Sequence, residues 1–394
     1  MSPNSPASGG ALEGVRVLDF SAMIAGPYCT RLMADLGAEG IKIEPPEGDF
    51  MRGRPPLRGG HSIYFGVLNC GKKSIAIDLK QADGIALVKA LVEEADVVLE
   101  NFRPGVMQRL GLDASVLRVI NPRLVYCSIS GYGQSGPSSR LPGYAPIVQA
   151  ASGYEAANLE YQGSGDKPLK SAMFVADYLT GVHAFGAINA ALLRAARSGQ
   201  GDSIDCALMD AMVGMLAYEV AAAQAPVTQP RPVYQPSRTR DGFLMFAPIS
   251  PANFEAMARA TGHPEWIADP RFGKSLARAG NWDQLMAELE TWTLTRTADE
   301  CLTIMHEHGV PCARYNTVAD VLASPYAAER GLFSKAEDGG GEFLATNPPF
   351  AMQGAGTRGQ VPGLGEHGAA LLESLLGWDA ARIAAMVEAK VLHG

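Results

Sequence analysis

GVRVLDFSAMIAGPYCTRLMADLGAEGIKIE, residues 14–44, decides the fold. Val15 to Phe20 is a short apolar run, Pro27 to Leu36 has helical spacing after Gly26, and Gly37 introduces a second apolar run at Ile41 to Ile43. The pattern is strand, helix, strand. It recurs downstream: Gly84 to Glu94 reads as an amphipathic helix, Val97 to Leu99 as a buried strand, and Leu124 to Ser130 as a strand after the turn at Asn121-Pro122. Such alternation predicts a parallel α/β sheet. Gly181 to Arg197 then fits a mostly buried helix, closed by Ser198-Gly199-Gln200-Gly201, with a strand at Ser203 to Leu208 and a helix over Met209 to Ala223.

Four prolines fall between Pro226 and Pro236, too many for a regular element, so this stretch is predicted to be a linker. The expected division is a leader at 1–10, a large domain over 11–225, a linker at 226–240, a smaller domain over 241–315, and a return linker with a tail completing the large domain at 316–394. Phe243 to Ala247 reads as a strand in the smaller domain, and Pro251 to Thr261 and Trp282 to Thr293 as helices. Gly339 to Gly341 is expected to turn a hairpin, and Ala369 to Leu376 to form a late helix.

The 394 residues favour more than one domain, and 47% apolar with 19% charged residues is a globular composition. A net charge of −8 argues against a nucleic-acid partner. The six cysteines, Cys29, Cys70, Cys127, Cys206, Cys301 and Cys312, form no Cys-x-x-Cys pair and are expected as packed thiols. The start MSPNSPASGG lacks the pattern of a secretory signal, and no apolar run reaches membrane-spanning length. A cytoplasmic protein without a membrane partner is the expectation.

Gly131-Tyr132-Gly133-Gln134-Ser135-Gly136 matches the dinucleotide pattern G-x-G-x-x-G, but Pro137, Pro142 and Gly143 follow where a helix must open, so a plain glycine loop is predicted. His306 and His308 point to different faces of one helix and make no metal site. No serine has the context of a nucleophile elbow, and His183 is expected to be packed in its helix. Asp177 stands apart, in Phe174-Val175-Ala176-Asp177-Tyr178-Leu179-Thr180-Gly181. An acid here reads first as an N-cap of the long helix. It also reads as a partly desolvated carboxylate kept ionised by the helix N-terminus and available to attack an electrophile.

Several segments, in order, make the chain resemble the family III CoA-transferases, which include formyl-CoA transferase. They are Gly14 to Phe20, Ala25-Gly26-Pro27, Ile41-Lys42-Ile43-Glu44, Asn69-Cys70-Gly71-Lys72-Lys73-Ser74-Ile75, Glu100-Asn101-Phe102-Arg103-Pro104-Gly105, and Asp177 with Gly181. The resemblance implies a Rossmann-like parallel-sheet large domain plus a smaller mixed α/β domain, in an interlocked homodimer. It implies that Asp177 attacks an acyl-CoA thioester, passes through a mixed anhydride to an aspartyl-CoA thioester, and hands CoA to an incoming carboxylic acid, with no cofactor beyond CoA and no metal. By position, Ala22, Met23, Ile24 and Ala25 match the loop along the pantetheine arm. Ile77, Lys80, Asn101, Phe102 and Arg109 match further CoA contacts. Lys72, Lys73 and Arg103 are either phosphate ligands or solvated surface.

The chain also departs from that pattern. Where formyl-CoA transferases have a glycine-rich lid, it reads Gln235 to Gly242; Pro45 replaces a basic residue, and Ala22 and Ile24 replace polar ones. Formate and oxalate are therefore not the expected substrates. Arg140, Arg238 and Arg240 are candidates to hold the second carboxylate of a dicarboxylate such as succinate. An α-methylacyl-CoA racemase, the rival within the fold, needs a histidine where this chain has Gly143-Tyr144-Ala145, so transfer is the better reading. A CoA-binding protein in which Asp177 only caps its helix is the rival outside enzymology.

Overall fold

The structure is a computed structural model that describes residues 9–163, 165–168 and 170–394; most of the leader expected at 1–10 lies outside these. The chain forms two compact units, one from the described residues up to Ala217 together with Ala328–Gly394, the other Tyr218–Ala327.

The first unit is organised by six parallel strands: β1 (Arg16–Asp19), β2 (Glu39–Glu44), β3 (Lys73–Ile77), β4 (Val97–Glu100), β5 (Val125–Ser130) and β6 (Ser203–Ala207). Their order is β3-β2-β1-β4-β5-β6, and Leu392–His393 adds an antiparallel edge strand beside β3. The inner strands are largely buried because helices cover both faces, while the edge strand β6 alternates exposed and half-buried residues. One face packs Leu18, Ile41, Ile75 and Val98 against Leu87, Val88 and Leu91 of α3 (Ala82–Glu93) and against Leu371 and Leu372 of the C-terminal helix Gly368–Leu376. The other packs Val17, Val97 and Leu99 against Cys29 and Met33 of α1 (Ala25–Asp35) and Ala184 and Ile188 of α8 (Val175–Ser198). Between α1 and α8 in the chain lie α2 (Ile63–Asn69), α3, α4 (Val106–Leu110), α5 (Ala114–Ile120), α6 (Ala145–Ala151) and α7 (Tyr154–Gln162). The loop 131–136 after β5 opens no helix; the next one begins at Ala145.

A buried polar knot closes the end of β1. Asp19 and Lys72 are both fully buried and paired at 3.0 Å, and Lys72 Nζ also donates to the Pro27 carbonyl and Asn69 Oδ1. Asp19 further accepts from Thr30 Oγ1 at 2.5 Å and from the Ser21 amide and hydroxyl. Lys42 donates to the Ser21 carbonyl at 2.8 Å and pairs with Asp49 at 2.9 Å. Burial raises the Asp19 carboxyl, but Lys72 and Lys42 outweigh it and hold the group at about 2, while burial brings the Lys72 amine down to about 8.

Four expectations are corrected. The helix expected from Gly181 begins six residues earlier, at Val175, and only its Ala176, Thr180, Gly181, Ala184, Ile188, Ala191 and Ala195 face is buried. Its small residues suit close packing on α1 along one side; Val182, Leu193 and His183 are exposed on the other, so His183 is not packed. The helix expected over Met209 to Ala223 is two, α9 (Leu208–Met215) and Ala217–Ala222, because Leu216 turns to ψ 37° with its side chain inward. Lys72 is neither a solvated lysine nor one free to meet a phosphate, because its amine is spent on Asp19 inside the unit.

The second unit pairs Ser237–Arg238, Phe243–Phe246 and Cys312–Arg314 antiparallel. Helices Pro251–Ala260, Trp282–Thr293 and Ala298–Glu307 surround a core of Phe246, Phe254, Phe272, Trp282, Leu285 and Trp292. Residues 226–236 carry no helix or strand and fall within this unit. All six cysteines are free thiols, four of them buried. Among the described residues no helix is long and apolar enough to cross a membrane.

Lys72→Met strands a charged Asp19 in the interior and is expected to lower the unfolding free energy by about 3–5 kcal/mol, measured by chemical denaturation. Adding Asp19→Asn should recover part of the loss. A Lys72→Met cost below about 1 kcal/mol, the value of an exposed pair, would contradict the knot.

Candidate active site

Parallel strands send the loops that leave them to one edge. The loops after β1, β3, β4 and β5 therefore emerge at the carboxyl edge, and α8, which runs back to start β6, begins there too. Strand order reverses between β1 and β4, the place where open α/β sheets bind ligands.

Two loops are locked together at this switch point. The Asn101 amide grips the Ala22 backbone at both ends, Oδ1 accepting the Ala22 N–H at 2.9 Å and Nδ2 donating to its carbonyl at 2.7 Å. Beneath it, Glu100 accepts the Phe102 N–H at 2.8 Å, and burial lifts its carboxyl to about 7. Held by Asp19 through Ser21 and by Asn101 through Ala22, the loop places Met23 at φ 66°, a left-handed conformation uncommon outside glycine.

Asp177 is the third residue of α8. Phe174 is the N-cap, with no side-chain cap bond, and among the described residues the Asp177 carboxylate accepts no hydrogen bond. The expected capping role is thus not what the side chain does. Burial pushes its carboxyl up to about 6, with no cation nearby to pull it back, so it is ionised at neutral pH yet more basic than an ordinary aspartate.

Beside it opens a cleft of about 630 Å³ lined by Tyr28, Tyr64, Ala172, Met173, Phe174, Val175, Tyr178, Leu179 and Val182. Tyr28 and Tyr178 meet edge to face at 4.9 Å, and the Tyr178 hydroxyl donates to that of Tyr64 at 3.4 Å. One turn past Asp177, Gly181 sits so close to α1 that a β-carbon there would lie 2.7 Å from the Ala25 carbonyl oxygen. That contact sets the spacing of α8 from the loop 21–24.

The residues singled out by resemblance fall into groups. Ala22 and Met23 are half-buried on the loop, while Ile24 and Ala25 are buried as α1 begins. Asn101 and Phe102 lie in the facing loop, and Lys80, Arg103, Arg109 and Arg140 are exposed along or just beyond the same edge. Ile77 ends β3 with its side chain wholly in the core, so only its backbone reaches the edge. Lys73 pairs with Glu39 at 2.6 Å. Arg238 and Arg240 belong to the second unit, where Arg238 lies over the Phe243 ring and Arg240 pairs with Glu300 at 3.2 Å. No spacing in the sequence marks Tyr28 or Tyr64, and only its adjacency to Asp177 marks Tyr178. No group of three or more potential metal ligands occurs among the described residues.

The model of CoA-transferase family III matches residues 12–368. The succinate–glutarate CoA-transferase of Agrobacterium fabrum is 35% identical over 92% of this chain and 95% of its own length. The acetyl-CoA:oxalate CoA-transferase of Acetobacter aceti is 36% identical over 92% and 95%. The crystal structure of a CAIB/BAIF family protein from Brucella suis superposes with a TM-score of 0.80 at 35% identity, covering 93% of this chain and all of that one. The chain belongs to CoA-transferase family III. It is an enzyme of the CoA-transferase class, with CoA thioesters as its substrates.

Gly181→Ala forces α8 off α1 and shifts Asp177. CoA transfer is expected to fall about 10–100-fold, as for a misplacement near 1 Å, with the folded state retained by circular dichroism. Unchanged turnover would show that this contact does not set the site.

Proposed function

We propose that the enzyme moves CoA from an acyl-CoA, succinyl-CoA or a close analogue, to a dicarboxylate through a thioester on Asp177. The observation that carries this is the Asp177 carboxylate itself, desolvated, unpartnered and at the helix N-terminus beside an open cleft on the sheet's carboxyl edge. A structural aspartate at this place would be capped or paired.

The carboxylate oxygen of Asp177 attacks the thioester carbonyl; the tetrahedral oxyanion collapses with cleavage of the C–S bond, giving a mixed anhydride and CoA thiolate. The thiolate adds to the aspartyl carbonyl and expels the acyl carboxylate, leaving aspartyl-CoA. An incoming acid reverses the sequence. No proton is gained or lost overall, and the thioester's free energy is conserved, so neither ATP nor a metal enters. The apolar cleft walls help exclude water that would hydrolyse the intermediate.

In this reading the loop Ala22 to Ala25 lines the pantetheine arm, with Asn101 shaping it and Phe102 beside it. Lys80, Arg103 and Arg109 are exposed cations suited to the CoA phosphates. Lys72 is withdrawn from that role by its burial, Ile77 contributes backbone alone, and Lys73 meets a phosphate only by leaving Glu39. The dicarboxylate acceptor is supported by the names of both relatives above; Arg140, Arg238 and Arg240 remain its candidate partners. The interlocked homodimer is supported by the exposed apolar residues Val182 and Leu193 of α8 and Val213 and Met215 of α9; light scattering should give twice the chain mass, and a monomer mass would oppose it.

Incubated with succinyl-CoA and a panel of carboxylates, the protein is expected to form new CoA thioesters, dicarboxylates first, and Asp177→Ala none. Epimerised 2-methylacyl-CoA without new thioesters would favour a racemase. Because only ionised Asp177 is a nucleophile, kcat/KM should drop tenfold per pH unit below about 6; a limb near 4, where ordinary aspartates titrate, would remove Asp177 from the rate equation.

A further inference from the structure

Asp177 supplies the attacking oxygen, but each half-reaction also builds negative charge on a carbonyl oxygen, and such charge needs a fixed donor in a site screened from water. Three tyrosines line the cleft beside Asp177. They come from separate helices, Tyr28 from α1, Tyr64 from α2 and Tyr178 from α8, so their convergence is a product of the fold.

Their arrangement is directional. The Tyr28 ring packs edge-on against Tyr178 and fixes it. The Tyr178 hydroxyl spends its proton on the Tyr64 oxygen at 3.4 Å. Tyr64, having accepted, keeps its own proton to donate. Among the described residues no other acceptor takes it, and Tyr64 is half-buried on the wall of the cleft. Asp177 acts electrostatically on both phenols, which places them in its neighbourhood. Among the described residues no lysine or arginine lines the cleft.

Resting on Asp177 as nucleophile, we propose that Tyr64 is a further catalytic residue, donating a hydrogen bond to the oxyanion of the tetrahedral intermediates, and that Tyr178 is a positioning residue that orients and polarises the Tyr64 hydroxyl. The phenol lends a hydrogen bond and transfers no proton, so the electron count is unchanged: the carbonyl π pair moves to oxygen on attack and returns when the C–S or C–O bond breaks. Burial pushes both phenols above their ordinary range, which keeps them protonated donors at neutral pH, where Asp177 is ionised. A neutral donor also has an advantage over a cation here. It stabilises the developing oxyanion without pairing with Asp177 in the ground state and quenching the nucleophile.

The test uses the full-length protein mixed with succinyl-CoA in single-turnover mode, with the enzyme–CoA adduct followed by intact-protein mass and succinyl-CoA affinity measured separately by calorimetry. Tyr64→Phe is expected to slow adduct formation about 10²-fold, in the range for losing one oxyanion donor, with affinity within threefold of the unaltered protein. Tyr178→Phe should slow it less, about 3–10-fold, because it acts through a hydroxyl that remains in place. Adduct formation at the normal rate in Tyr64→Phe, or a loss of affinity matching the loss of rate, would overturn the catalytic role while leaving Asp177 standing. Failure of the unaltered protein to form any adduct would overturn both.

Discussion

The buried Asp19–Lys72 pair is the constraint on which the site depends. Two charges inside a protein are costly unless each is fully partnered, and here the partners are the structure: Thr30 and Pro27 of α1, Asn69 at the end of α2, and Ser21 and Lys42 around the loop leaving β1. Satisfying the pair thus fixes where α1 and α2 stand relative to the sheet and how the chain turns from residue 20 to residue 24. Asn101 then transfers that geometry to the loop after β4 through two bonds to Ala22. The strained backbone at Met23 is held by restraints on the residues before it.

A single physical theme sets the chemistry. Withdrawal from water raises Asp177, raises Glu100 and keeps the cleft tyrosines protonated. At Asp19 the same desolvation is overcome by two lysines. The difference separates the structural carboxylate from the proposed nucleophile: Asp19 is fully buried with cations, Asp177 half-buried without them.

Much of this is legible in the residues. Apolar runs broken by Gly37 and the Asn121-Pro122 turn mark the strands, because a sheet covered on both faces must be continuously apolar; Trp282–Thr293 shows its helical period through Trp282, Leu285, Met286 and Leu289. Asp177 is conspicuous as an acid in an apolar setting. Periodicity fails at the start of α8, where the helical spacing is read only from Gly181 although the helix begins at Val175, and at Leu216, where a buried apolar residue breaks a helix its composition would continue. Lys72 misleads for a different reason. A lysine beside another lysine looks solvated, and only the third dimension brings Asp19, distant in the chain, against it. The tyrosine cluster is invisible for the same reason, since Tyr28, Tyr64 and Tyr178 share no spacing that a linear pattern can register.

If CoA rides on Asp177 between donor and acceptor, it must be found there when the acceptor is withheld. The most direct measurement is to mix the protein with succinyl-CoA without an acceptor, quench in acid, digest, and locate the added CoA by tandem mass spectrometry. CoA is expected in thioester linkage on the peptide containing Asp177, discharged when a carboxylate is added before the quench. Transfer that proceeds with no CoA on the chain, or with CoA on another peptide, would contradict it.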